Sequence, residues 1–139
     1  MDVLLTNDDG IYAQGLWALY NRFAEKHKVV VVAPDRERSA IGHAITLHQP
    51  LRAARISLNG DTGGYAVNGT PADCIKLGIS EILSIRPDVV VAGINPGANV
   101  GANLNYSGTV AAAKEAALCG TIGIAVSIAG PRAEFYDEA

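Results

Sequence analysis

Four short apolar runs constrain the fold more than any other feature of this chain. Val3-Leu4-Leu5, Val29-Val30-Val31-Val32, residues 88–93 and residues 122–128 carry almost no polar side chains, and each is shorter than an ordinary helix. The first three read as strands covered on both faces, as in the parallel sheets of α/β proteins, and the last as a further strand. Helical patterns lie between them. Leu16, Leu19, Tyr20 and Phe23 recur at helical spacing within residues 14–26, and Trp17 joins Tyr20 on the apolar face as a core residue. Thr70-Pro71 supplies an N-cap followed by proline at the first helical position, and this helix is expected to run to about residue 83. Ser107-Gly108-Thr109 opens another, which ends near residue 118. The alternation predicts a three-layer α/β/α arrangement around a mostly parallel sheet.

The stretch 45–67 is less regular. Alternation in Leu51-Arg52-Ala53-Ala54-Arg55-Ile56 and in Tyr65-Ala66-Val67 suggests short strands or a hairpin around Asn59-Gly60-Asp61. No repeat, low-complexity stretch or linker divides the chain, and its 139 residues fit one domain spanning residues 1–139. Beyond residue 128, Ala129-Gly130-Pro131 reads as a loop. Glu134-Phe135-Tyr136-Asp137-Glu138 then reads as a helix cut off soon after it starts, the pattern of a fragment.

Charge narrows the function classes. The 11 basic and 14 acidic residues give a formal net charge of -3, and no stretch concentrates Lys or Arg. Electrostatic capture of a nucleic-acid polymer has no footprint here. A small anionic substrate would need local help from a metal ion or from oriented backbone N–H groups. No apolar run approaches the roughly 20 residues that cross a bilayer. The first residues also lack a signal-peptide pattern, so the expectation is a cytoplasmic protein without a membrane partner. Cys74 and Cys119 fall in helical segments and read as a reduced pair of core residues.

Ligands of parallel α/β sheets bind outside the carboxyl ends of the strands, so the residues after each strand are the informative ones. The first strand delivers Asn7-Asp8-Asp9-Gly10. Adjacent carboxylates at a buried strand end repel each other and resist desolvation unless something positive sits between them. A hard divalent cation is one answer, because Mg2+ or Mn2+ takes carboxylate, amide and hydroxyl oxygens. A solvated turn with Asp and Gly as turn formers is the other. The later strands favour the cation. Ser39, in the loop at 33–43, and Asn95, in Gly93-Ile94-Asn95-Pro96-Gly97-Ala98-Asn99 opening a loop at 95–105, offer neutral oxygens to complete a shell begun by Asp8 and Asp9. Gly93 and Gly97 let the backbone approach closely. Ser107, Gly108 and Thr109 open a helix whose free N–H groups and dipole suit a phosphate, with Asn95 as a further phosphate contact.

Other residues carry open or blander readings. His43 contacts substrate, orients its loop, or makes a structural hydrogen bond. His27 and His48 read as surface or turn residues. Thr70, Pro71 and Asp73 read as a helix start, and Arg36 and Arg38 either attract a phosphate or solvate the loop.

Five ordered blocks carry a resemblance. They are Leu4-Leu5-Thr6-Asn7-Asp8-Asp9-Gly10-Ile11; Ala33-Pro34-Asp35 with Arg38-Ser39-Ala40 and Gly42-His43-Ala44-Ile45-Thr46; Gly69-Thr70-Pro71-Ala72-Asp73-Cys74; Gly93 to Asn99; and Tyr106-Ser107-Gly108-Thr109-Val110-Ala111-Ala112-Ala113. Together they resemble the SurE family, the survival-protein-E nucleotidases, over nearly all of the chain. The resemblance implies a Rossmann-like, metal-dependent phosphatase acting on nucleoside 5′- and 3′-monophosphates, with short polyphosphate as a further substrate. It implies one divalent cation per subunit on Asp8, Asp9, Ser39 and Asn95, and a phosphate-binding turn at Ser107, Gly108 and Thr109. Family members continue well beyond residue 139 with extended elements that reach between subunits. A homodimer or homotetramer is therefore expected, with the family's C-terminal region missing here.

The chemistry to expect is metal-assisted hydrolysis, with Asp8 and Asp9 as ligands or one of them as nucleophile or proton carrier. A haloacid-dehalogenase type of phosphatase needs its nucleophile and acid two residues apart, and Asp8 and Asp9 are adjacent. No Gly-x-Gly-x-x-Gly follows the first strand and no Gly-Lys-Ser/Thr occurs, so dinucleotide and triphosphate binding lose their usual motifs. A non-catalytic metal- or nucleotide-binding module, or an inactive fragment, is the alternative.

Overall fold

The computed structural model describes residues 1–60, 62–129 and Tyr136. Strand β1 (Asp2–Thr6) leads into helix α1 (Gln14–Ala24) and strand β2 (Lys28–Pro34). Strands β3 (Ala53–Asn59) and β4 (Thr62–Val67), helix α2 (Pro71–Leu77), strand β5 (Val89–Pro96), helix α3 (Gly108–Leu118) and strand β6 (Ile122–Ile128) follow. The strands form one sheet in the order β3-β4-β2-β1-β5-β6. All neighbours run parallel except the β3–β4 hairpin.

Side-chain alternation explains why the strands are apolar throughout. Val3 and Leu5 of β1 pack into one core with Leu16 and Leu19 of α1, while Leu4 packs into a second core with Cys74 and Ile75 of α2 and Ala112 and Ala116 of α3. In β5, Val89 and Val91 join the first core, and Val90 and Ala92 the second. Both faces are covered, by α1 on one side and by α2 and α3 on the other. The chain passes from β1 to β2 on one side and later reaches β5 on the other. This reversal beside β1 is where open α/β sheets bind their ligands.

Residues 122–128 form the further strand expected there, with Ile122 65% and Ile124 45% exposed while Val126 and Ile128 pack against the core. Other sequence expectations need correction. Helix α1 stops at Ala24, where the N–H groups of Lys26 and His27 both turn back to the Phe23 carbonyl. Helix α2 does not run unbroken to residue 83. It changes at Gly78 into a single π-helical turn, Gly78–Ile82, and this glycine packs against Leu4 and Val32. Strand β5 continues through Asn95 to Pro96 because its end pairs with Ser127 and Ile128 after a bulge. Asn95 thus ends a strand, whereas the sequence placed it at the start of a loop, and that loop contains a 3₁₀ turn at Gly101–Asn105. At Gly93 the backbone takes φ 136, and any Cβ would strike the Val126 carbonyl, so the bulge requires glycine.

Trp17 and Tyr20 are half-buried at the rim of the core, and the Trp17 indole N–H donates to the Ile11 carbonyl at 2.6 Å. Both cysteines are free thiols, but only Cys74 is a core residue; Cys119 caps α3 half-buried. Among the described residues no helix is long and apolar enough to cross a membrane. The helix expected at 134–138 lies outside the described residues except for Tyr136, whose ring packs against the α1-side core.

Ile75 is fully buried between α2 and the sheet. Replacing it with alanine (Ile75→Ala) should cost about 2–5 kcal/mol of stability. The check is a lower urea midpoint with an unchanged m-value.

Candidate metal and phosphate site

The turn after β1 is shaped by a buried asparagine. The Asn7 side-chain amide donates to the Gly10 carbonyl at 2.9 Å, and its oxygen accepts the Gly10 N–H at 3.2 Å. Gly10 takes φ +101 with its α-carbon pressed against Arg36, where a Cβ would lie 3.0 Å from the carbonyl carbon. This closed turn sets Asp8 and Asp9 just beyond the end of β1.

The two aspartates are in different situations. Asp8 is buried, and its carboxylate accepts the Thr109 hydroxyl at 2.8 Å and the Thr109 N–H at 3.2 Å. Burial raises its pKa, while the Thr109 bonds act in the opposite direction. Gly108 lies directly against it: a Cβ there would be 2.8 Å from the Asp8 Cβ. Asp9 has no such support. Its Oδ2 is buried without a hydrogen-bond partner among the described residues. Burial, followed by the negative charges of Asp8 and Glu37, pushes the Asp9 carboxyl up to about 6.

The loop after β2 is pinned to this turn, since the Arg38 N–H donates to the Asp8 carbonyl at 2.7 Å. The Arg38 guanidinium turns elsewhere, to Asp35 at 3.6 Å and the Asn68 carbonyl at 3.3 Å. Exposed Ser39 donates its hydroxyl to Glu37 at 2.5 Å. Sequence reasoning passed over Glu37. Its only signal was a further carboxylate within Asp35-Arg36-Glu37-Arg38, where alternating charges read as a solvated loop. Asn95 uses its amide nitrogen on the Gly97 carbonyl at 2.8 Å, which leaves its oxygen as the end open to a ligand.

Helix α3 closes the other side. Ser107 caps it by accepting the Val110 N–H at 3.2 Å, and the Thr109 N–H is taken by Asp8. Among the described residues this leaves the Gly108 N–H as the uncommitted donor of the first turn. His43 makes a hydrogen bond, with Nε2 2.6 Å from Oε2 of Glu115, a buried carboxylate two turns into α3. His48 is exposed and His27 half-buried. Thr70 and Asp73 form a reciprocal capping box at the start of α2, as the helix-start reading expected. Asp73 has a second role that sequence reasoning missed, accepting the N–H and hydroxyl of Thr46.

The chemistry of this donor set suits a hard cation. Among the described residues no three of His, Cys, Asp and Glu gather as metal ligands. A cation here would instead combine two carboxylates with hydroxyl and amide oxygens, the preference of Mg2+ and Mn2+. The ion pairs among the described residues join Arg22 to Glu25, Lys28 to Asp2, Arg38 to Asp35 and His43 to Glu115. None reaches Asp8, Asp9 or Glu37. An orphaned carboxylate oxygen beside two other negative charges takes up either a proton or a metal ion.

Two measurements test this geometry. In the cation-free chain the Asp9 carboxyl carbon should titrate by NMR near pH 6, because burial and its neighbours disfavour the anion. Adding Mg2+ should lower that midpoint, and Mg2+ affinity should weaken as the pH falls through it. A midpoint near the ordinary 3.8 would refute the assigned environment. Thr109→Val removes the hydroxyl that orients Asp8, and should weaken Mg2+ affinity about 10- to 100-fold, as loss of outer-shell partners does.

The model of the family described as survival protein SurE matches residues 3–139. A 5′-nucleotidase SurE from Desulfatibacillum aliphaticivorans is 59% identical over 139 residues, which is 100% of this chain and 55% of that protein. A 5′-nucleotidase SurE from Thermoanaerobacter pseudethanolicus is 54% identical over 137 residues, 99% of this chain and 53% of its own length. The crystal structure of SurE protein from Aquifex aeolicus matches with a TM-score of 0.89 at 41% identity, covering 99% of this chain and 55% of that one. The chain thus spans about half the length of the relatives it matches. A family model that accounts for all but the first two residues, and a solved member with the same architecture, establish that this chain belongs to the SurE family.

Proposed function

We propose that residues 1–139 form a catalytic unit that hydrolyses nucleoside 5′- and 3′-monophosphates to nucleoside and phosphate. One divalent cation, Mg2+ or Mn2+, would be held by Asp8, Asp9, Ser39 and Asn95. The observation that carries this reading is Asp9, whose buried oxygen lacks a partner among the described residues while Asp8 and Glu37 add negative charge beside it. The substrate class is supported by the 5′-nucleotidase relatives, and the terminal phosphate of short polyphosphate presents the same group. A homodimer or homotetramer is the assembled state we assign to it.

Each residue's part follows from its bonds. Thr109 supports Asp8 as an anion and fixes its carboxylate plane through two donors. The Gly108 N–H and the positive end of α3 stabilise charge developing on the phosphoryl oxygens. The Asn95 amide nitrogen holds the Gly97 carbonyl, and its oxygen would be the atom offered to the cation. When bound, the cation supplies Lewis-acid polarisation of the phosphoryl group and a more acidic water.

Phosphate release from a panel of 5′- and 3′-nucleoside monophosphates, with chelator, Mg2+ or Mn2+, tests the reading. Activity should require metal, and Asp9→Asn should lower kcat/KM by more than about 100-fold, beyond the usual loss for an outer-shell partner. Metal-independent release would refute the cation's role. Tight metal binding without turnover under any condition would make the chain a binding module instead.

A further inference from the structure

The segment 42–46, Gly42-His43-Ala44-Ile45-Thr46, supplies none of the ligands proposed above, yet polar bonds tie it down on two flanks. Toward α3, the Gly42 N–H donates to the Tyr106 carbonyl at 3.0 Å, and His43 bonds to Glu115 at 2.6 Å. Toward α2, the Ala44 carbonyl accepts the Thr70 hydroxyl at 2.7 Å, and Thr46 donates its N–H at 3.0 Å and its hydroxyl at 2.6 Å to Asp73. The segment therefore straps the start of α2 to α3 and to the turn at Tyr106 that precedes it. Burial does not hold it in place: Ile45 is 38% and Leu47 80% exposed.

The short stretch between Arg38 and His43 is consequently fixed at both ends. One end is the Arg38 N–H on the Asp8 carbonyl, and the other is the strap on α3. Between them Ala40 adopts φ 56 and Gly42 φ 59. A left-handed alanine is uncommon and persists where the surroundings over-determine it. Ser39 sits inside this doubly anchored stretch. The strongest tether is His43, because a buried carboxylate is costly to leave unpaired, and the Glu115 side chain is only 6% exposed.

We propose that His43 is a positioning residue: through Glu115 it fixes the Ser39 loop against the phosphate end of α3. This inference rests on the reading of Ser39 as a metal ligand and of α3 as the phosphate side. The imidazole N–H donates to the Glu115 carboxylate, and the rigid helix between Glu115 and Gly108 sets the distance from tether to phosphate donors.

The test compares His43→Ala and His43→Gln in the full chain, reading Mg2+ affinity by calorimetry, kcat and KM on a nucleoside monophosphate, and Tm. His43→Ala should weaken Mg2+ affinity about tenfold and lower kcat by a similar factor, with KM changing less. His43→Gln keeps an N–H donor and should recover most of both. Ala and Gln variants that match the unsubstituted chain in Mg2+ affinity and kcat, with only Tm reduced, would make the bond purely structural and overturn the proposal. If the unsubstituted chain binds Mg2+ but releases no phosphate, the nucleotidase reading fails, and Mg2+ affinity of the two variants still decides the positioning role. An unsubstituted chain that binds no Mg2+ overturns both.

Discussion

The bond between Asp8 and Thr109 joins residues 101 positions apart and fixes the end of β1 to the start of α3. It needs three conditions at once. Gly108 must lack a side chain, or α3 could not approach the Asp8 Cβ. Ser107 must cap the helix through the Val110 N–H and leave the Thr109 N–H to Asp8. The carboxylate must be charged, which the positive end of the helix favours and burial opposes. Helix α3 rests on β5, β6 and α2, so this one contact also relates the second core to the crevice beside β1.

The same contact separates two chemically identical neighbours. Asp8 gains two donors and becomes a fixed, satisfied acceptor. Asp9, one residue later, makes no such bond and keeps a buried oxygen with no partner among the described residues. Adjacent carboxylates can differ in this way because the backbone between them sends their side chains into different surroundings, one lined with N–H and O–H donors and one facing Glu37. A single helix end can neutralise only its nearest charge, since the dipole effect fades within the first turn.

Much of the scaffold was legible because apolar periodicity reports burial directly. The parallel strands, the hairpin around Gly60 and the capped starts of α2 and α3 follow from residue patterns that act locally. What escaped detection depends on pairing across the sheet or between loops. The extension of β5 through Asn95 is set by Ser127 and Ile128, distant partners that a local pattern does not reveal. The exposure of residues 122–128 depends on the place of β6 beside β5 at the end of the described sheet, which apolar composition does not reveal. The π turn begins at Gly78, which packs against Leu4 of β1, a partner that the local pattern does not reveal. In the candidate site, the Asp8–Asp9 pair stood out by adjacency. The split between a supported and an orphaned carboxylate depends on Thr109, and Glu37 was hidden by the arginines on either side of it.

Charge sets an order of events at this crevice. The Asp9 carboxylate feels the negative charges of Asp8 and of the exposed Glu37, and among the described residues no ion pair offsets them. The opposing field from α3 amounts to about half a charge, most of it directed at Asp8. A phosphate monoester entering the cation-free crevice would meet repulsion from like charges at short range, in surroundings less polar than water. Arg36 and Arg38 do not correct this, because Arg36 is exposed and Arg38 is committed to Asp35 and Asn68. In the proposed reaction the cation must therefore bind before the nucleotide or together with it. The pairing of a metal-binding turn with a helix N-terminus then has a physical reason. A bound cation would offset most of the negative charge on the β1 side, and the helix, already positive at its end, would receive the phosphoryl oxygens that the carboxylates alone would repel.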